Sequence, residues 1–230
     1  QSDHCRGSLP GSLYPDQRSS MAAKKTTGPL EIPPIVMRSL EVHVVGTMPL
    51  LQNAWVNPEA AFPDEERPTT TVKSARDPEE WIKRAHVIDA DAGQYGMPAS
   101  GIKKSLVVAG GRFADAVQAK LRGAIHIHTP TGLVPLVTAA GNPVSPFRRV
   151  DMAVVGRGQA CPARRPQFDD WEARVPVTFL KNEVSEEFIF MLFRLAGITV
   201  GWGPWRPERG GVFGTFKLGD KHRDLGEERL

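Results

Sequence analysis

The chain has 230 residues, 40% of them hydrophobic and 24% charged, a composition suited to one globular domain with a core of its own. No apolar run approaches the roughly 20 residues of a membrane helix, which excludes a helical span. A net charge of +3 excludes a histone-like polycation but leaves room for a local basic groove. Two cysteines, Cys5 and Cys161, exclude a disulfide framework and a multi-cysteine zinc site, so the expected setting is the reduced cytoplasm.

Residues 1–37 read as a disordered arm. Gln1–Ser20 is polar and lacks the apolar centre of a signal peptide, and Met21 looks like a natural start, so residues 1–20 are expected to lie outside the native fold. A first strand is expected over Arg38–Met48, where Leu40, Val42 and Val44 alternate. Residues 52–97 read as an insertion of loops around a short helix that opens at Asp77-Pro78-Glu79-Glu80 and ends near Val87. A second helix starts at Pro98, is interrupted at Gly110-Gly111 and resumes from Phe113 to Leu121. Ala124–His128 alternates as a strand with Leu133–Thr138 as its partner, and residues 139–170 form a second insertion with few clear elements beyond Val150–Val155. Trp171–Leu180 is a strand whose Pro176 suits an edge or a bulge. Ser185 caps a helix over Glu186–Ala196, with Phe188, Met191, Leu192 and Leu195 on one face and Gly197 as its stop. Val212–Leu218 is the last strand, and 219–230 is a polar tail.

Without the insertions the order is strand, helix, strand, strand, helix, strand. That predicts an α+β, ferredoxin-like (RRM-like) βαββαβ domain over residues 38–218, with two helices packed on an antiparallel sheet.

The most informative segment precedes the last strand. Residues 200–216, VGWGPWRPERGGVFGTF, hold Gly201, Gly203, Gly210, Gly211 and Gly214 together with Trp202, Trp205, Arg206 and Arg209. Glycines let a backbone turn through positive φ, and exposed peptide N–H groups in such turns make anion-binding concavities. Arginines offer planar forks for phosphate, and tryptophans offer faces on which a base stacks. The bland alternative is a tight hairpin with both tryptophans packed on the sheet. A dinucleotide-binding loop is a poor fit, because Arg206 stands where the third glycine belongs and the loop follows a helix.

This loop resembles the glycine-rich signature of the RAMP superfamily, the ferredoxin-like RNA-binding and RNA-cleaving proteins of CRISPR systems. Val200-Gly201-Trp202-Gly203 matches its first half, and Gly211-Val212-Phe213-Gly214 its second with one extra residue. Gly46-Thr47-Met48-Pro49-Leu50-Leu51 is similar to the G-x-x-PL that ends the first strand in many members. The ending from Trp205-Arg206-Pro207 to Phe216 is also similar to uncharacterised phage and prophage proteins. The resemblance implies an RNA or single-stranded DNA partner, and self-association or assembly into a ribonucleoprotein.

A basic stretch agrees with such a partner. Residues 147–165 carry Arg148, Arg149, Arg157, Arg164 and Arg165 against the single acid Asp151, a local balance of +4 that exceeds the whole-chain +3. Arginine-rich loops bordered by Phe147 and Phe168 suit phosphate tracking with aromatic stacking. The plain alternative is a solvated loop paired with Asp169, Asp170 and Glu172. Lys103 and Lys104 are expected to extend the surface.

Catalytic constellations are thin. His126 and His128 lie two apart on a strand and share a face, where they read as acid and base or as a polar outer surface. No metal site, cofactor loop or Ser-His-Asp pattern is legible. The expected function is non-catalytic nucleic-acid binding; the alternatives are a metal-independent endoribonuclease using His126 or His128, and a phage structural or assembly protein.

Overall fold

A computed structural model describes residues 34–54, 78–155 and 159–229. The expected N-terminal arm up to residue 33, the larger part of the first insertion (55–77) and Arg157 lie outside the described residues.

Strand β1, Val36–Gly46, buries Leu40, Val42 and Val44, the alternation that a strand with one face on a core requires. Along the chain follow β2 (Leu50–Leu51), a 3-10 turn over Pro78–Arg84, β3 (Val87–Asp89), β4 (Gln94–Pro98), helix α1 (Ala99–Phe113), helix α2 (Gln118–Ala124), β5 (Ile125–Ile127) and β6 (Leu133–Val137). Then come β7 (Phe147–Val155), β8 (Gln159–Phe168), β9 (Glu172–Leu180), helix α3 (Glu186–Leu195), a π turn over Ala196–Val200, β10 (Phe216–Leu218) and β11 (Arg223–Arg229).

Among the described residues eight strands form one sheet in the order β10-β1-β9-β6-β4-β3, with β11 also on β1 and β5 also on β9. Every one of these pairings is antiparallel. The protein is therefore mixed α+β. Its central order β10-β1-β9-β5/β6 is compatible with a ferredoxin-like core inside a larger sheet. Val42, Val175, Val177 and Phe179 of the sheet pack with Ile102 and Leu106 of α1 and Ile189, Leu192 and Phe193 of α3 in one continuous core.

Several local expectations are corrected. Helix α1 runs through Gly110-Gly111, because a Cβ at Gly110 would sit 2.5 Å from Leu121 Cδ1 and 3.0 Å from Leu192 Cδ2. The glycine there lets α2 and α3 pack close, and the break comes later, where Asp115 has φ 49°. Helix α3 keeps its Ser185 cap, whose Oγ accepts from the Phe188 N–H at 3.2 Å, but its fully buried stripe is Ile189, Leu192 and Phe193. Phe188 and Leu195 flank that stripe half-buried. Gly197 does not stop the helix: the chain continues as a π turn, and a Cβ at Gly197 would meet the Phe216 carbonyl oxygen at 2.1 Å.

Strands β5 and β6 do not pair with each other; each joins a different stretch of β9. The gap between them spans Arg174–Pro176, so Pro176 is accommodated in a central strand without losing a ladder partner on that side. The second insertion contains a long hairpin, β7–β8, extended by β2 into a three-stranded sheet. The expected polar tail instead contributes β11, which pairs with β1 from Val36 to Glu41.

Candidate nucleic-acid interface

The two segments that carry the family resemblance meet in space. Gly46, at the end of β1, lies against Trp171, whose Nε1 would be 2.4 Å from a Cβ there, and that indole N–H donates to the Met48 carbonyl at 3.0 Å. Beyond this corner Gly214 donates its N–H to the Pro49 carbonyl at 2.8 Å. Gly203, with φ 75°, approaches so closely that a Cβ would sit 2.2 Å from the Leu51 carbonyl oxygen. These glycines therefore serve close backbone contact between the Gly46–Leu51 corner and the glycine loop.

Trp202 is corrected from stacking platform to core. It is 1% exposed, packs on Phe216 and Trp171 with ring centroids 4.4 and 5.4 Å apart, and donates its indole N–H to Ser105 Oγ at 3.0 Å. Gly201 and Gly214 are buried beside it, and the Trp202 N–H donates to the Gly214 carbonyl at 2.9 Å. Gly214 serves packing, while Gly201 also borders the cleft beside α1.

Arg206 is engaged within the loop. Its guanidinium pairs with Glu208 and donates to the Gly203 carbonyl at 3.0 Å, so it shapes the loop more than it faces solvent. Burial alone would raise the Glu208 carboxyl, but the Arg206 hydrogen bond and the charges of Arg206, Arg112 and Arg209 outweigh it and hold it below the usual carboxylate range. Arg209 and Gly210 are exposed, Gly210 in the left-handed region at φ 75°. Gly211 packs against the Trp205 carbonyl, whose oxygen would be 1.8 Å from a Cβ. Trp205 itself is half-buried with φ 55°, an uncommon conformation for a bulky residue.

The basic hairpin docks on this loop. Arg149 and Arg165 are direct cross-strand partners in β7–β8 and so share a face. The Arg149 guanidinium lies 4.6 Å from the Phe213 ring centroid, and that of Arg165 lies 4.8 Å from the Trp205 ring. Arg149 is further held by Asp151, at 2.8 Å from Nε, and by Gln167 Oε1 at 3.1 Å. Arg148 is exposed and Arg164 half-exposed on the opposite face of the hairpin, which they share with Val150 and Met152, 53% and 64% exposed. Neither arginine forms an ion pair among the described residues. Asp151, Gln167 and Phe213 were missed as parts of the site. The signal for Asp151 was present, since residues two apart on a strand share a face.

Beside the loop a cleft of about 230 Å³ is lined by Lys104 and Ser105 of α1 and by Gly201, Gly203, Arg206 and Glu208. Lys104 is an exposed residue bordering the loop.

The histidines are elsewhere. His126 and His128 stack with centroids 5.6 Å apart, and His126 Nε2 is 2.8 Å from the Gly123 carbonyl oxygen. Strand β5, which carries His126 and ends just before His128, pairs with Val177–Phe179, whereas the glycine loop packs on Trp171. That separation along β9 is about 20 Å. His43 has both ring nitrogens occupied, Nε2 by Glu172 at 2.8 Å and Nδ1 by the Lys221 N–H at 3.3 Å, so it clamps the β10–β11 connection and offers no free base.

No family model and no curated protein matches this chain. Among solved structures it is similar to a chain in the cryo-EM structure of the Type III-B Cmr-beta bound to cognate target RNA, with a TM-score of 0.44 and 10% identity over 82% of this chain. This chain spans 60% of that neighbour's length. Among the described residues no helix is long and apolar enough to cross a membrane.

Proposed function

We propose that this chain is a nucleic-acid-binding protein of RAMP-like, ferredoxin-like fold, related to phage or CRISPR systems, which holds RNA or single-stranded DNA without cleaving it. The observation that supports this reading is the docking of the basic hairpin on the glycine loop through the Arg149–Phe213 and Arg165–Trp205 contacts. Two segments that each suit phosphate and base recognition are thereby brought side by side. On the hairpin and beside the loop, the cations open to phosphate without rearrangement are Arg148, Arg164, Arg209 and Lys104, because Arg206 is taken up by Glu208, Arg149 by Asp151, and Arg165 lies under Trp205. Exposed Val150 and Met152 lie on the same hairpin face as Arg148 and Arg164 and offer apolar contact to unstacked bases.

Filter binding of labelled single-stranded RNA, single-stranded DNA and duplex across a salt series tests the proposal. Four phosphate contacts to a single strand correspond to a slope of about −3 in log affinity against log salt. Absence of binding, or binding indifferent to salt, contradicts the reading.

A further inference from the structure

Arg165 carries two unusual features at once. Its Nε and Nη1 atoms are buried with no hydrogen-bond partner among the described residues, and these atoms hold most of the guanidinium's N–H donors. No carboxylate pairs with it among the described residues, and its cross-strand neighbour is a second cation, Arg149, whose charge is already answered by Asp151. Buried guanidinium N–H groups with unmade hydrogen bonds and no counter-charge are costly, and the cost falls when an oxyanion arrives.

The group covering this guanidinium is also unusual. The indole of Trp205 lies over it at 4.8 Å, on a residue with φ 55°. Backbone strain of this kind persists only where surrounding structure enforces it, and it clusters at ligand clamps and switching segments. Here the enforcing neighbour is Gly211, which lies against the Trp205 carbonyl, while the Phe213 N–H donates to that same carbonyl at 3.1 Å. The backbone of Trp205 is pinned, and its half-buried side chain is the part left to move.

Resting on the nucleic-acid reading above, we infer that Arg165 is the anchor for one phosphate of a bound single strand, and that the Trp205 indole swings off the guanidinium to admit it and stacks on the adjacent base. A duplex offers the phosphate but no free base face, so both contacts together select a single strand. Arg148 and Arg164, on the other face of the hairpin, steer the strand; Arg165 and Trp205 lock one nucleotide.

The test follows tryptophan emission and fluorescence anisotropy while the full chain is titrated with a labelled single-stranded RNA, a single-stranded DNA and a duplex. Wild type, W205F, R165Q and R165K are compared, with far-UV circular dichroism melting to establish that each variant is folded. The expected result is an emission change on single-strand binding that is lost in W205F. R165Q should bind about tenfold more weakly, with the salt slope reduced by about one unit. Single-strand binding with the same emission change in W205F, and with R165Q within twofold of wild type, overturns the inference and leaves the nucleic-acid reading standing. If no oligonucleotide binds, the nucleic-acid reading fails, and inorganic phosphate becomes the probe. Thermal stabilisation by phosphate that disappears in R165Q then supports an anion site at Arg165, while equal stabilisation of both proteins overturns it. Should R165Q not fold, R165K and W205F decide the same question.

Discussion

The Arg165 guanidinium of the hairpin lies over the Trp205 ring of the glycine loop, its carbon 4.8 Å from the ring centroid, and so joins two segments far apart in the sequence. With its neighbour Arg149–Phe213, this contact brings the basic hairpin against the glycine loop. Exposed cation–π contacts contribute about 0.5–1 kcal/mol each, and more when desolvated. The hairpin is also held by its pairing with β2 and by buried Phe168, so single substitutions at its exposed arginines should alter binding well before they alter folding.

The glycine loop should respond differently. Gly211→Val places a side chain where the Trp205 carbonyl already sits, and Gly203→Val does the same against the Leu51 carbonyl. Each should destabilise the protein by on the order of 1–3 kcal/mol, as overpacking does, and weaken binding as well. Chemical denaturation checks this. An unchanged midpoint would mean that the loop does not press on the Gly46–Leu51 corner.

In the core, Leu192→Ala should cost about 2–5 kcal/mol, because Leu192 is 0% exposed between α1 and the sheet. Phe188→Ala should cost clearly less, since Phe188 is only half-buried at the edge of the helix's inner face. Equal losses in urea unfolding would show that the helix faces the sheet as its sequence stripe suggests rather than as described.

Stability should fall on mild acidification. His222 Nδ1 accepts the His43 backbone N–H at 3.1 Å, which requires an unprotonated nitrogen. Burial and then the neighbouring charge of His43 hold His222 below its ordinary value, and Asp220 opposes this while Arg194 adds to it. Burial acts in the same sense on His86. Because the folded-state values are lowered, the unfolded chain binds more protons, so the stabilisation is complete above about pH 6.5 and is lost as pH falls below it. Hydrogen exchange should show the β11 amides less protected at pH 5.5 than at pH 7.5 once corrected for intrinsic rates. Equal protection would contradict the latch formed by His222 and His43.

Arg206→Ala should behave as a structural change, lowering thermal stability by releasing Glu208 and the Gly203 carbonyl, with only a small effect on the salt dependence of binding. A full unit lost from the salt slope, with stability intact, would place Arg206 on a phosphate after all.

Much of the frame was legible in the sequence because it depends on local signals. Alternation marks β1 and β9, and Ser185 with two acids marks the start of α3. The hairpin β7–β8 was not legible, since its strands are rich in arginine and proline and owe their pairing to each other and to the loop they cover. The shift of the α3 stripe from Phe188 and Leu195 to Ile189 and Phe193 follows from the close approach of α1 at Gly110, a tertiary contact with no local trace. At the site, the joining of the Gly46–Leu51 corner to residues 201–214 agrees with the order of the motifs. The division of labour among the arginines, and the burial of Trp202 against Ser105, depend on partners that only the fold brings near.

The most direct test of the central claim is the salt dependence of single-stranded RNA binding by wild type and by the double variant R148A/R164A. The two residues are exposed or half-exposed and outside the core, so the fold should survive. Binding that weakens steeply with salt in the wild type, with a slope reduced by about 1.5 units in the double variant, is the predicted result. A wild type that does not bind, or a double variant with an unaltered slope, would contradict a nucleic-acid interface on the hairpin.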